Sequence, residues 1–115
     1  MLQSIGFLET TTAIAVSATF TGATRSATIS TTTDSSYALL YTYFNAHFHL
    51  DQVGMCRIEG SNNESLWLPA TASIANTVSV GVSLQVPVTY KFYRAVFING
   101  ITATTTQSIT TSFVI

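Results

Sequence analysis

From Tyr37 to Asp51 the side chains alternate without a break, and that alternation ties the chain to extended structure. Ala38, Leu40, Thr42, Phe44, Ala46, Phe48 and Leu50 fall on one side; Tyr37, Leu39, Tyr41, Tyr43, Asn45, His47 and His49 fall on the other. Successive side chains of a strand point to opposite faces, so this stretch reads as one long strand with an apolar inner face and an aromatic, polar outer face. A helix would scatter the same apolar residues around its circumference.

Gln52-Val53-Gly54 follows and resembles a three-residue hairpin loop with a left-handed glycine at its end. In that register Leu50 faces Cys56, Phe48 faces Ile58, His49 faces Arg57 and His47 faces Glu59. Further strands are expected from Ala13 to Phe20, where Ile14, Val16, Ala18 and Phe20 share a face, and over Ser26–Ser30. Val78 to Val86 alternates again and ends at Pro87. Val88 to Ile98 is apolar on both faces, Asn99-Gly100 is a strong two-residue hairpin signal, and Ile101 to Ile115 returns as the last strand. Ser61-Asn62-Asn63-Glu64-Ser65 is a turn cluster; its Asn-x-Ser sequence is a turn here rather than a glycosylation acceptor. No segment has helical periodicity. The expectation is an all-β chain: one antiparallel β-sandwich domain over 1–115, of about seven or eight strands, of jelly-roll, Ig-like or C2-like type. Residues 1–12 lack a clean period and form either an extended arm or an edge strand.

Composition narrows function more than fold. Only 8% of the 115 residues are charged, against roughly a quarter in ordinary soluble proteins, and Ser and Thr take their place. A surface so poor in charge favours association, so a homo-oligomer is expected. Arg25, Arg57, Lys91 and Arg94 are the only basic side chains, too few and too scattered to neutralise a run of phosphates or to hold an anionic membrane. The longest apolar run is far short of a spanning helix, and no basic region followed by an apolar stretch marks a signal peptide near Met1. Nucleic acid and membrane are therefore not expected as partners. Cys56 stands alone and reads as a small core residue.

No catalytic constellation emerges, and no enzyme or cofactor is expected. His47, His49 and Asp51 have the i, i+2, i+4 spacing that could present metal ligands on one side of a strand. The expected cross-strand neighbours Arg57 and Glu59 offer ordinary pairing instead, and Asp51 sits where a turn takes a capping carboxylate. The remaining carboxylates Glu9, Asp34 and Glu64 fall in irregular or turn regions, so no pair faces across a cleft as a glycosidase would need. No Gly-x-Ser-x-Gly elbow or phosphate loop is present. The outer face of the long strand is the candidate interface: Tyr37, Tyr41, Tyr43, His47 and His49, with Trp67 as a further aromatic.

Two stretches carry a resemblance. Tyr43-Phe44-Asn45-Ala46-His47-Phe48-His49-Leu50-Asp51-Gln52-Val53-Gly54 leads through Ile58-Glu59-Gly60-Ser61-Asn62-Asn63 to Trp67. Tyr93-Arg94-Ala95-Val96-Phe97-Ile98-Asn99-Gly100 follows later. In this order they resemble small β-sandwich virion proteins of tailed bacteriophages, of the head-decoration or tail-accessory kind, over about half the chain. Met55-Cys56-Arg57 and the two histidines depart from that pattern. The resemblance implies a non-enzymatic structural protein located in the virion. It would assemble symmetrically and dock on the major capsid protein or a tail protein. The alternative is a carbohydrate- or receptor-binding module for a host surface glycan, using Tyr37, Tyr41, Tyr43 and Trp67.

If the even side of the long strand is core, Phe44→Ala or Phe48→Ala should cost about 3–5 kcal/mol in chemical denaturation. A loss below about 1 kcal/mol would reverse the face assignment.

Overall fold

The computed structural model describes residues 5–29 and 39–114. In chain order its strands are β1 (Ile5–Thr10), β2 (Thr19–Thr21), β3 (Arg25–Ser26), β4 (Thr28–Ile29), β5 (Leu39–Leu40), β6 (Tyr43–Leu50), β7 (Gly54–Ser61), β8 (Leu68–Pro69), β9 (Ile74–Ala75), β10 (Val82–Pro87), β11 (Phe92–Asn99) and β12 (Gln107–Val114). All pairings are antiparallel, and no helix occurs among the described residues. Sheet A has the order β1-β12-β6-β10. Sheet B has the order β2-β11-β7-β8, with β3 continuing β2 along β11 and β9 continuing β8 along β7. β4 and β5 form a separate small pair.

With β2/β3 and β8/β9 counted as one position each, the sandwich has eight strand positions. Numbered along the chain, they read 1-8-3-6 in one sheet and 2-7-4-5 in the other. First pairs with eighth, second with seventh, third with sixth and fourth with fifth. That nested order is a jelly roll, one of the expected sandwich types. Ile5–Thr10 is one of its edge strands, running along β12 from Ile5 opposite Phe113 to Thr10 opposite Ile109.

The inner faces are those the alternation marks. Phe44, Ala46, Phe48 and Leu50 are buried from sheet A, and Cys56, Ile58, Tyr93, Ala95 and Phe97 from sheet B. Phe44 stacks on Tyr93 with centroids 5.2 Å apart and meets Phe113 at 4.8 Å. Such aromatic contacts add about 0.5–1.5 kcal/mol beyond area burial. Tyr93 also holds the β10–β11 connection. Its hydroxyl accepts the amides of Thr89 (2.6 Å) and Tyr90 (3.0 Å) and donates to the Pro87 carbonyl (3.2 Å).

Several local expectations are corrected. Tyr37–Asp51 is not one strand: regular structure breaks at Tyr41 and Thr42, and Tyr37 lies outside the described residues. Gln52-Val53 is not a hairpin loop. β6 and β7 belong to different sheets, so Leu50 and Cys56 both point into the core from opposite layers. β6 pairs instead with β10 and β12, placing Ser83 and Thr110 beside His47 and Ser108 beside His49. Asn99-Gly100 likewise crosses between sheets. The Asn99 carboxamide donates to the carbonyls of Ile14 (3.1 Å), Ala15 (3.0 Å) and Thr102 (2.9 Å), which holds that crossing in place. Val16, Val78 and Val80 leave the alternating faces because positive φ at Ser17, Ser79 and Gly81 turns the chain there. The turn cluster stands as expected: the Ser61 hydroxyl accepts the Asn63 and Glu64 amides, and the Asn63 carboxamide accepts those of Ser65 and Leu66.

Gly54 is needed for space rather than for a left-handed conformation, because Gly81 is the only described glycine with positive φ. A Cβ at Gly54 would lie 2.4 Å from the Ile98 carbonyl oxygen and 2.5 Å from the Phe97 ring. Gly54→Asn, which a left-handed turn would tolerate, should therefore destabilise as Gly54→Ala does. Each should cost about 1–3 kcal/mol by overpacking. A neutral Gly54→Asn in urea denaturation would restore the turn explanation.

Candidate functional site

The two outer faces differ sharply in charge, and the register shows how. On sheet A, Leu8, Thr110, His47 and Ser83 form one row across four strands; Gly6, Ser112, Asn45 and Gln85 form the next. Val114, Tyr43 and Pro87 form a third, and Ser108 stands beside His49. None of these positions holds Asp, Glu, Lys or Arg. His47 Nδ1 is 2.7 Å from the Ser83 hydroxyl, and the Asn45 carboxamide donates to Ser112 at 3.4 Å. Leu8 is 62% exposed and Tyr43 38%, so apolar surface is shown among hydroxyls. Such a face presents no ion to desolvate when covered.

Sheet B carries fixed charge. Arg94 stands opposite Glu59 in the register. The Glu59 carboxylate binds the Arg57 guanidinium at 2.7 Å and that of Arg94 at 2.8 Å. Arg94 lies 4.0 Å over the Trp67 ring, and the Trp67 indole donates to the Glu64 carbonyl at 3.2 Å. Beside this cluster a shallow groove of about 390 Å³ is lined by Arg57, Glu59, Pro69, Thr71, Ala72 and Ser73.

The structure separates most of the residues that the sequence grouped. Tyr43, His47 and His49 share the outer face of sheet A. Tyr41 does not join them: it stacks on Phe113 at 4.8 Å and packs against the core. Trp67 belongs to the sheet B side. His47, His49 and Asp51 do not converge either. The Asp51 carboxylate accepts the amide of Thr105 (3.0 and 3.2 Å) and its hydroxyl, so it caps the β11–β12 connection. Those bonds hold its carboxyl below the ordinary range. Among the described residues no group of three His, Cys, Asp or Glu side chains could hold a metal ion. Cys56 is fully buried, and burial pushes its thiol up to about 12, which leaves it unreactive.

Sequence reasoning missed Glu9, which lies on β1 rather than in an irregular region. Its side chain is 1% exposed and accepts from Arg25 Nε (2.9 Å) and Nη2 (3.1 Å), the Thr111 hydroxyl (2.6 Å) and the Ala23 amide (3.2 Å). The pair joins the β1–β12 edge of sheet A to β3 of sheet B, and Arg25 lies 4.0 Å over the Phe7 ring. Only a register linking residues far apart in sequence could have revealed it.

Fold and faces together define a small, charge-poor jelly-roll domain with one uncharged and one charged outer face. The chain belongs to the family described as the uncharacterised protein YqxG N-terminal domain, whose model matches residues 1–113. Among solved structures it is similar to the crystal structure of PBSX exported protein XepA. The TM-score is 0.80 at 18% sequence identity, over 96% of this chain and 37% of that one. The chain thus spans little more than a third of that protein's length, and the likeness shows the fold. No curated protein matches the sequence.

Burial pushes the Glu9 carboxyl up, but its bonds to Arg25, Thr111 and Ala23 prevail and hold it below its ordinary 4.5. A group depressed on folding contributes stability that is present above the unfolded value and lost as pH falls through the folded one. Glu9→Gln should therefore lose about 1–3 kcal/mol at pH 7. The gap to the natural chain should narrow as pH drops below about 4.5, towards and through the lower folded value. Urea denaturation at several pH values checks this, and a gap independent of pH would contradict it.

Proposed function

We propose that this chain is a non-enzymatic, phage-associated structural domain that acts by covering and being covered. Its uncharged sheet A face docks on a protein of the particle, a capsid or tail protein being the expected partner. The observation that carries the reading is the run of four adjacent strands whose outer side chains include no fixed charge. Covering such a face desolvates no fixed charge, and its hydroxyl and amide groups can pair with a partner's polar groups. The virion-protein resemblance of the Tyr43–Gly54 and Tyr93–Gly100 stretches supports the phage setting. The similar fold belongs to the PBSX exported protein XepA, which agrees with a role outside the cytoplasm.

A carbohydrate- or receptor-binding role is the second reading, and it falls to sheet B. There Trp67 and Arg94 stand near the groove beside Arg57, whereas Tyr43 is the only described member of the aromatic set on sheet A's outer face. A glycan array with Trp67→Ala as control separates the two readings.

Immunogold electron microscopy of purified particles should find the chain at regular positions. Thr110→Lys, at the centre of the sheet A face, should lower its occupancy at least about tenfold while leaving its melting temperature within a few degrees. Absence from particles, or full occupancy by the Thr110→Lys variant, would refute docking through this face.

A further inference from the structure

The strand position beside β7 is interrupted. β8 pairs with Glu59 and Gly60, and β9 pairs with Met55 and Cys56. Between them residues 70–73 leave the ladder opposite Arg57 and Ile58. The amides of Ala70 and Thr71 still donate to the Ile58 carbonyl at 2.8 and 3.3 Å, and the Thr71 hydroxyl accepts the Ile58 amide at 3.0 Å. The departure is therefore held in place, and it opens the groove beside the Arg57 side chain. Ala72 and Ser73, both exposed, line it with Thr71 and Pro69.

Charge at this groove is unbalanced. Arg57 sets Nε and Nη2 on one Glu59 oxygen at 2.8 and 2.7 Å, and Arg94 sets the same two nitrogens on the other oxygen, both at 2.8 Å. One guanidinium would neutralise that carboxylate; the second leaves a positive charge in excess. Among the described residues neither Nη1 has a hydrogen-bond partner. The arginine side chains are 27% and 25% exposed against 11% for Glu59, so the cations are presented and the anion is withdrawn. A guanidinium carries five donors in a planar fork and takes carboxylate or phosphate oxygens through paired N–H groups. Arg94 also covers one face of Trp67, so the ring seats a cation instead of offering that face to a sugar.

We propose that this groove binds an anionic glycan. A singly charged acid group on the sugar, carboxylate or phosphodiester, lies on the outward edges of Arg57 and Arg94, and sugar hydroxyls meet Thr71 and Ser73. The proposal rests on the glycan reading of sheet B, whose ligand class it names, and is independent of docking through sheet A. One negative charge matches the one in excess. The chain as a whole has net charge −1, so attraction of an acidic glycan comes from this local arrangement and not from the overall charge.

Isothermal titration calorimetry of the full chain tests it with oligogalacturonate for the carboxylate, phosphodiester-linked oligomannose for the phosphodiester, and uncharged oligomannose. At least one acidic probe should bind with a Kd of about 1 mM or tighter, and the probe that binds identifies the acid group. Arg57→Gln and Ser73→Asp should each weaken that binding at least about tenfold. Ser73 is exposed, so its substitution should leave the melting curve unchanged. Arg57→Lys keeps the charge but loses the fork, and should recover only part of the affinity. Lys91→Gln removes the same charge outside the groove lining and should have no effect. An equal loss with Lys91→Gln would reduce the interaction to general attraction and overturn the proposal. So would acidic binding indifferent to Arg57→Gln and Ser73→Asp. Uncharged oligomannose binding as tightly as the acidic probes would overturn it while leaving the glycan reading of sheet B intact. No binding of any probe would overturn both.

Discussion

The contact between the Phe44, Phe113 and Tyr93 rings, between inner strands of the two sheets and towards one end of the sandwich, holds the rest together. It joins the two sheets directly: Phe44 and Phe113 come from sheet A and Tyr93 from sheet B. Tyr93 carries the same contact outward through its hydroxyl into the loop between β10 and β11. Once these rings are buried, the alternation of each strand fixes which side chains face outward. The outer faces then diverge in character because they no longer bear on folding.

The nested strand order explains which parts of the fold were legible in the sequence. Burial is a property of single strands, so Phe44, Ala46, Phe48 and Leu50 declare their side by spacing alone. Pairing is a property of distant partners. Period two states that Leu50 and Cys56 both face the core, and a hairpin or a crossing between sheets satisfies it equally well. In a jelly roll consecutive strand positions mostly change sheet, so the hairpin reading fails at Gln52-Val53 and again at Asn99-Gly100. The turn after Ser61 does close a local hairpin, between β7 and β8, and there the serine and asparagine side chains signal it correctly.

The same reason governs the candidate site. Tyr43, His47 and His49 could be placed on one face from spacing, whereas their neighbours could not. Paired with β7, His47 would have met Glu59 and His49 would have met Arg57. Paired with β10 and β12, they meet Ser83, Thr110 and Ser108. A strand expected to sit among charges becomes the middle of a face without any, while Glu59 is shared between Arg57 and Arg94 on the opposite sheet. Scarcity of charge was visible in composition; the absence of fixed charge from the outer face of sheet A needed the register.

The uncharged face exists only if β6 lies between β10 and β12, and backbone NMR measures that directly. Cross-strand proton contacts should link Phe48 to Val82 on one side and to Ile109 on the other, with Phe44 likewise between Val86 and Phe113. Ladder contacts joining Phe48 to Ile58 and His47 to Glu59 would instead make β6 and β7 a hairpin, set charge beside His47, and remove the basis for a docking face.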